Sequence, residues 1–496
     1  MLPKSIKKTK KYFLIELLES FSKTEINHFS HFIASTYFNT DQWIIKLLDA
    51  LRQHVIGKHP YDDLAQTKVY QTIFCDLNIP EALLDKKQKK LLGAKMSVLT
   101  KLAKRFLAIE ALATTPACDN ELLMTQFYNK KQFRLFTQLY KKKQRYLKEE
   151  KVKGIDYYAL AFQVEKGYLN HLHQTGDLLN QDNFSALNNS LDLQYLLNKL
   201  KIYVTMLSVK NATKKVYDFT FMESIITLGK VSTYANHPLI ITYLAVIKLI
   251  KTNIATNYFY LLKVLDQYKL SIPKSSLIDF YNVAGNFCIR QIVAGKNDFN
   301  RELFNLYQNM HRENLLLEGQ FMQAVKIKSV VTIACKVREF NWANMAVNHY
   351  CPFVNKTVQK SVYHFNLGII DFYQHHYKEA IHHFIRVEKV NLAYDLDCKL
   401  LLLQAYYLMD KHYDERTMQI FRSTGNFIYT HKTMPTTSKK SYKNFILILT
   451  NLYQVRHRMG KRTIELVHKK LEDMDVVLAR QWLSTQIEVI LKASRK

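Results

Sequence analysis

Residues that interrupt regular backbone are scarce in this chain, because its 496 residues include only 12 glycines and 8 prolines. Folds with many short strands need both residue types at their frequent turns. The abundant Leu, Lys, Ile, Tyr, Phe and Asn favour long helices instead. At about 150 residues per domain the length suggests roughly three domains, unless the helices form a repeat array. The sequence therefore predicts an all-α protein whose helices stack on one another.

The cysteines and the apolar segments indicate the compartment. Six cysteines are scattered singly without a C-x-x-C pair, which argues against a zinc site or a disulfide framework and favours a reducing cytoplasm: Cys75, Cys118, Cys288, Cys335, Cys351 and Cys398. The apolar run near the N-terminus is interrupted by Glu16 and Glu19, which is unlike a signal peptide. The most apolar stretch, residues 239–250, is far shorter than the roughly 20 residues of a membrane span. We expect a cytoplasmic protein that does not cross a membrane.

The formal net charge of +29 is the bulk property that bears most on function. A field of this sign attracts polyanions before any specific contact forms. The excess is spread along the chain, with a local peak over residues 130–153, where the candidate polyanion-binding side chains are Lys130, Lys131, Arg134, Lys141, Lys142 and Arg145. An A+T-rich genome that favours lysine would also produce this excess. The local peak would also arise if its basic residues formed the solvated face of a helix whose other face buries Leu135, Phe136, Leu139 and Tyr140.

The first 115 residues predict a separate helical module. Ser22 and Glu25 form a capping-box pattern before the helix "EINHFSHFIAS", and Asn39, Thr40 or Asp41 can cap the next helix. Two apolar stripes follow at helical spacing: Trp43, Ile44, Leu47, Leu48 and Leu51, then Leu92, Met96, Leu99, Leu102, Ala103, Phe106 and Ile109.

The pairing of "FSKTEINHFSHFIASTYFN" with "LLGAKMSVLTKLAKRFLAIEAL" resembles the N-terminal region of an uncharacterised bacterial family of all-helical proteins. That family has a short S-P-Y-F-N-like turn, which corresponds here to residues 35–39 with Thr36 in place of proline. The resemblance covers about the first fifth of the chain. It implies an all-helical fold and a bacterial source, and it supplies no catalytic residue.

Self-similarity in the C-terminal third predicts tetratricopeptide-like (TPR-like) repeats over residues 326–425. Three pairs of residues are 34 positions apart, which is the period of that repeat: Ala334 and Gly368, Ala346 and Ala380, Tyr350 and Phe384. A weaker third copy contains Ala405, Tyr413 and Phe421. Gly368 and Ala380 would let two helices cross closely. We expect a TPR-like helical-hairpin solenoid: irregular hairpins over residues 116–325, the repeats, and capping helices over residues 426–496.

The concave face of such an array is lined by the first helix of each pair. The candidate partner-binding residues are Val362, Phe365, Asn366, Ile369, Phe372 and Tyr373, with Lys328, Arg338 and Tyr406 from the neighbouring copies. Phe365 and Ile369 occupy positions at which some TPR domains carry polar carboxylate-binding side chains. The pattern therefore favours an amphipathic helix or an apolar peptide as the ligand. The alternative is that a neighbouring helix of the same chain fills the groove.

Catalytic and cofactor-binding patterns are missing from the sequence. Four histidines surround one predicted turn, His375, His376, His382 and His383, but no carboxylate or cysteine joins them at metal-ligand spacing. The phosphate-binding, dinucleotide-binding, nucleophile-elbow and zinc-protease motifs do not occur. We expect a non-enzymatic interaction scaffold without metal or cofactor that binds a peptide or protein, and the alternative is a binder of nucleic acid or another polyanion. The sequence leaves the oligomeric state open.

Overall fold

A computed structural model of the protein describes residues 12–56, 61, 63–74, 84–114, 116–179, 182–213, 215–388, 390–410, 412–430, 434, 436–458 and 461–493. Within these ranges the chain forms 24 α-helices and no strand, apart from one isolated bridge between Glu318 and Phe321. The prediction of an all-α protein is confirmed. No helix in these ranges is long and apolar enough to cross a membrane.

The chain divides into two compact units, the first comprising Met1–Glu150 and Tyr157–Leu191 and the second Lys151–Asp156 and Asp192–Lys496. The helices of unit 1 are α1 (Phe13–Glu19), α2 (Lys23–Ala34), α3 (Gln42–Ile56), α4 (Asp63–Phe74), α5 (Lys86–Thr114), α6 (Pro116–Asn129), α7 (Phe133–Glu149), most of α8 (Ile155–Thr175) and the first turns of α9 (Phe184–Thr213).

Unit 2 contains the rest of α9 and fifteen further helices: α10 (Met222–Gly229), α11 (Ser232–Ala235), α12 (Pro238–Thr252), α13 (Ala255–Tyr268), α14 (Lys274–Val293), α15 (Phe299–Arg312), α16 (Ala324–Lys336), α17 (Phe340–Tyr350), α18 (Gln359–Tyr373), α19 (Tyr377–Ile385), α20 (Leu392–Met409), α21 (Glu415–Thr430), α22 (Thr436–Arg458), α23 (Lys461–Glu472) and α24 (Arg480–Ala493).

Side-chain caps begin α2 and α3 as their sequences predict. The Glu25 amide donates to Ser22 Oγ at 3.1 Å, and the Ser22 amide donates to Glu25 Oε2 at 2.7 Å, which completes the capping box. Of the three candidate caps for α3, Asp41 accepts from the Trp43 amide at 3.0 Å. Asn39 instead holds the preceding turn, because its Nδ2 donates to the carbonyl of Ile33 at 2.9 Å.

The predicted apolar stripes form the core of the N-terminal helices. Of the stripe residues on α3 and α5, all but two are buried: Ile44, Leu47, Leu48, Leu51, Leu92, Met96, Leu99, Leu102, Ala103 and Phe106. Trp43 is half-buried and packs against the same core. The stripe also predicts a buried Ile109, but this residue is 38% exposed and lies towards the C-terminal end of α5.

Two hairpins of unit 2, α16–α17 and α18–α19, share one turn geometry. In each, three consecutive amides donate back to carbonyls in the last turn of the first helix: those of residues 337–339 and those of residues 374–376. The middle residue of each turn, Arg338 or His375, has left-handed backbone with φ of 65° or 66°. Because the hydrogen-bond patterns match atom for atom, equivalent positions in these two hairpins lie 37 residues apart.

The predicted 34-residue offset is therefore three residues shorter than the structural one. Gly368 corresponds to Val331 rather than Ala334, and Ala380 corresponds to Ala343 rather than Ala346. Three residues are close to one helical turn, so this shift leaves each position on nearly the same helix face. All four residues named in the earlier hairpin are fully buried, which explains why either offset fits the apolar pattern.

Gly368 permits the close approach predicted for the second hairpin. A Cβ atom built on this glycine would lie 2.6 Å from Cε1 and 2.8 Å from Cδ1 of Phe384, well inside van der Waals contact. Ala380 and Phe384 on α19 are both buried. The α18–α19 contact thus depends on the absence of a side chain at residue 368.

Candidate functional site

The predicted groove face of α18 is covered in the structure. Val362, Phe365, Asn366 and Ile369 are each at most 1% exposed. Tyr394 on α20 packs over them, with its ring centroid 4.4 Å from that of Phe365. Asn366 Nδ2 donates to the Val362 carbonyl at 2.7 Å and to the Tyr394 hydroxyl at 3.3 Å. For these four residues the structure agrees with the alternative interpretation of the sequence, in which the chain itself fills the groove.

The other five groove candidates do not form one open surface. Phe372, Tyr373 and Tyr406 are half-buried. Lys328 is half-buried, forms an ion pair with Asp397, and has its Nζ 5.7 Å from the centroid of the Tyr394 ring. Arg338, expected on a first helix, lies two residues beyond the end of α16 in the exposed turn. A peptide would therefore meet half-buried aromatic edges rather than a continuous apolar groove.

The histidines of α18 and α19 contact each other and one carboxylate. The Nδ1 atoms of His364 and His383 are 3.1 Å apart, and His383 Nε2 lies 3.7 Å from a carboxylate oxygen of Asp371. Burial lowers the pKa of both histidines, and their neighbouring positive charges lower it further. His375, His376 and His382 are exposed. Among the described residues, no group of three or more His, Cys, Asp or Glu side chains is arranged to hold a metal ion.

A basic line of side chains runs along α7. Arg134, Lys141, Arg145 and Lys148 recur at intervals of seven, four and three residues, which places them within about 60° of one another around the helix. All four are exposed. They extend over about 21 Å at 1.5 Å per residue. We call these four residues the α7 ridge. Lys148 is not among the candidates predicted from the sequence, although its spacing from Arg145 already places it on the same side of the helix.

The remaining predicted basic residues lie beside the ridge. Lys142 is exposed and is rotated by about 100° from Lys141. Lys130 and Lys131 are exposed in the turn that precedes α7, where Lys131 has left-handed backbone with φ of 54°. Exposed Glu149 is the acidic side chain of α7 closest to the ridge.

None of the ridge residues, nor Lys130, Lys131 or Lys142, forms an ion pair with another described residue. Because no carboxylate neutralises these ammonium and guanidinium groups, their charge is directed at solvent. An approaching anion therefore does not have to displace an internal partner.

The opposite face of α7 is packed into unit 1. Its buried residues are Phe136, Leu139, Tyr140, Lys143 and Leu147. All of these except Lys143 belong to an apolar cluster that also contains side chains of α6 and α8. The Tyr140 and Tyr168 rings stack with centroids 4.0 Å apart. The six basic residues predicted on the wet face are all exposed. Of the four apolar residues predicted on the opposite face, all are buried except Leu135, which is half-buried. Lys143, a basic residue outside the predicted set, lies on the buried face.

A buried carboxylate fixes the rotation of α7. Glu165 on α8 is 6% exposed, and its Oε2 accepts from the Tyr140 hydroxyl at 3.1 Å and from Asn183 Nδ2 at 2.7 Å. Burial, together with the adjacent Glu165 charge, raises the pKa of Tyr140, so the phenol stays protonated and donates. The Tyr140 hydrogen bond joins α7 to α8, and with the apolar packing it holds the α7 ridge in one orientation.

Comparison with protein-family models, with curated proteins and with solved structures gives no match. The resemblance of residues 1–112 to a bacterial family, and of the C-terminal third to tetratricopeptide repeats, thus has no support from known proteins.

Proposed function

We propose that this chain is a non-catalytic binding protein whose ligand is a nucleic acid, contacted through the α7 ridge. The observation that carries the proposal is the line of four exposed cations that form no ion pair with any described residue, on a helix whose other face is packed and hydrogen-bonded. At about 3.4 Å per nucleotide along one strand, a ridge of about 21 Å faces about six phosphates.

A peptide scaffold, which the sequence favoured, is the second candidate. Its support is reduced because Phe365 and Ile369 are covered by the chain. What still favours it is that three aromatic candidates, Phe372, Tyr373 and Tyr406, remain half-buried rather than fully covered. Phe372→Asp alone tests that surface, whereas Phe365→Asp would introduce a charge into the core and unfold the hairpin.

The finer features of the fold are part of the same proposal. For unit 2 we propose a TPR-like stack of hairpins, which is supported by the close α18–α19 contact at Gly368 and by the 37-residue offset between α16–α17 and α18–α19. We place the protein in a bacterial cytoplasm, an assignment supported by its cysteine pattern and by the N-terminal resemblance.

The experiment is a salt titration of binding to a fluorescein-labelled oligonucleotide of twenty nucleotides, single-stranded and duplex, followed by anisotropy. Four phosphate contacts predict a slope of about −3.6 for log affinity against log salt on the duplex, a loss of about 100-fold between 50 and 200 mM salt. Changing Arg134, Lys141, Arg145 and Lys148 to Gln together should remove most of the affinity and flatten this slope.

A matched variant separates the ridge from net charge. Lys86, Lys87, Lys89 and Lys90 on α5 are also exposed, and changing these four to Gln removes the same formal charge from the same unit. We expect this control to bind almost as the unaltered protein does. Equal losses in both variants would attribute binding to overall charge, and absence of binding at 50 mM salt would refute the proposal.

A further inference from the structure

A cavity of about 720 Å³ lies in unit 2, remote in sequence from the α7 ridge. Its lining comes from α10, α11, α12 and α13. The volume is in the range of small-molecule binding sites, which are concave, largely apolar and equipped with few polar groups.

One wall of the cavity is a stripe on α12 whose chemistry changes along the helix. Ile241, Leu244, Ala245 and Lys248 recur at i, i+3, i+4 and i+7, and Lys251 follows three residues later, so all five face the same side. The stripe is apolar at its N-terminal end and basic at its C-terminal end, about 15 Å away. A ligand aligned with it would meet apolar and cationic surfaces in that order.

The other walls are also mainly apolar. Ile226 on α10 and Tyr260 on α13 line the space, and the Tyr260 ring is 50% exposed. At Gly229 the two helices α10 and α12 approach closely, because a Cβ there would lie 3.2 Å from Ile240 Cγ2. This approach narrows the cavity at the apolar end of the stripe.

The charges around the cavity are unbalanced. Lys251 Nζ donates to Glu223 Oε1 at 2.6 Å, so these two lining residues neutralise each other. The other two lining lysines, Lys230 and Lys248, form no ion pair within the described part of the chain. Two uncompensated positive charges therefore border a mainly apolar space. Free phosphate would leave the apolar wall unused, and an apolar cation would be repelled.

We propose that this cavity binds an aliphatic monocarboxylate, with its alkyl chain along Ile241 and Leu244 and its carboxylate at Lys248. The alkyl chain covers half-buried apolar side chains, and the carboxylate meets an ammonium group that is not ion-paired with any residue the structure describes. The proposal does not depend on nucleic-acid binding, since its residues lie in the other unit.

The test is calorimetric titration of the full chain with octanoate, decanoate and dodecanoate, each below its micelle concentration. Burial of alkyl surface predicts that every added methylene tightens binding about fourfold. Decyltrimethylammonium, which has a chain of the same length and the opposite charge, should bind at least tenfold more weakly than decanoate. Equal affinity for the two amphiphiles, or no uptake of any carboxylate, would overturn the proposal.

Two variants localise the site. Lys248→Glu changes an exposed side chain and should reduce decanoate affinity at least tenfold, whereas Lys274→Glu, an exposed change outside the cavity, should leave it unaltered. Ala245→Phe fills the cavity and should abolish binding while circular dichroism confirms that the protein is folded. Unchanged affinity in Lys248→Glu, or in folded Ala245→Phe, would place the carboxylate elsewhere and contradict the assignment.

Discussion

At the scale of single residues, the glycines differ sharply in what surrounds them. Gly368 lies inside α18 with Phe384 directly against its α-carbon, whereas Gly93 lies inside α5 with no atom of the described residues around it within 4 Å of a built Cβ. A glycine inside a helix costs about 0.5–1 kcal/mol relative to alanine. Gly93 carries this cost without a packing reason, and Gly368 carries it to admit an aromatic ring.

Gly368→Ala and Gly93→Ala are therefore expected to change stability in opposite directions. The first forces Phe384 to move, which costs about 1–3 kcal/mol and exceeds the gain in helix propensity. The second should raise the free energy of unfolding by about 0.5–1 kcal/mol. Urea denaturation followed by circular dichroism measures both. An increase in both variants would contradict the close approach of α18 and α19.

At the scale of helices, one type of C-terminus recurs. Five helices end with the same three back-donating amides around a residue of positive φ: Lys131, Gly295, Asn314, Arg338 and His375. Four of these are not glycine, although left-handed backbone costs an ordinary L-residue about 1–2 kcal/mol. The hydrogen bonds satisfy helix carbonyls that would otherwise lack partners, which offsets part of this cost.

Exchanging glycine at these ends tests the backbone argument. Arg338→Gly should raise the free energy of unfolding by about 1 kcal/mol, because glycine adopts positive φ without steric cost. Gly295→Ala should lower it by about the same amount, since no described side chain lies within 4 Å of the new methyl group and the effect comes from the backbone. Differential scanning calorimetry of both variants measures the change in melting temperature. A change of the same sign in both would show that the cost of positive φ does not explain these helix ends.

Helices are also the scale at which the sequence predicts structure well. Capping at Ser22 and Asp41 and the apolar stripes of α3 and α5 are local patterns, and nearly all of them reappear. The exceptions are informative. Ile109 and Leu135 have the correct helical spacing, yet neither is fully buried. Periodicity shows which side of a helix is apolar, but it does not show how far along the helix a neighbour covers that side.

At the scale of the whole molecule, buried and half-buried histidines make the stability of this chain, whose formal charge is +29, sensitive to acid. Burial lowers the pKa of six histidines below the usual range: His171, His237, His311, His364, His383 and His457. The unfolded chain binds protons at these groups first as the pH falls. The contribution of these histidines to the free energy of unfolding is therefore fully present above about pH 6.5. It decreases as the pH falls towards their lower folded-state pKa values.

His237 should contribute most clearly to this loss. Burial, and then the charge of Lys153, lowers its pKa to about 4. Between pH 7.5 and pH 5 the protonation of this group in the unfolded state costs the fold about 2 kcal/mol. His237→Gln should lose correspondingly less stability over that interval in urea titrations, whereas His173→Gln, at an exposed site, should behave like the unaltered protein. Parallel pH profiles for all three proteins would show that His237 is not responsible.

The amino-acid sequence alone specifies the helices, their caps and the wet basic face of α7, because these depend on contacts within about four residues along the chain. The 37-residue offset of the two hairpins is also set locally, by the turn hydrogen bonds. The apolar pattern does not reveal it, because an offset of 34 or 37 puts the same kinds of residue on the same face. Tertiary packing decides the covering of Phe365. Phe365 is buried by Tyr394, 29 positions later, and a helical period of 3.6 residues contains no information about which distant ring will cover a face.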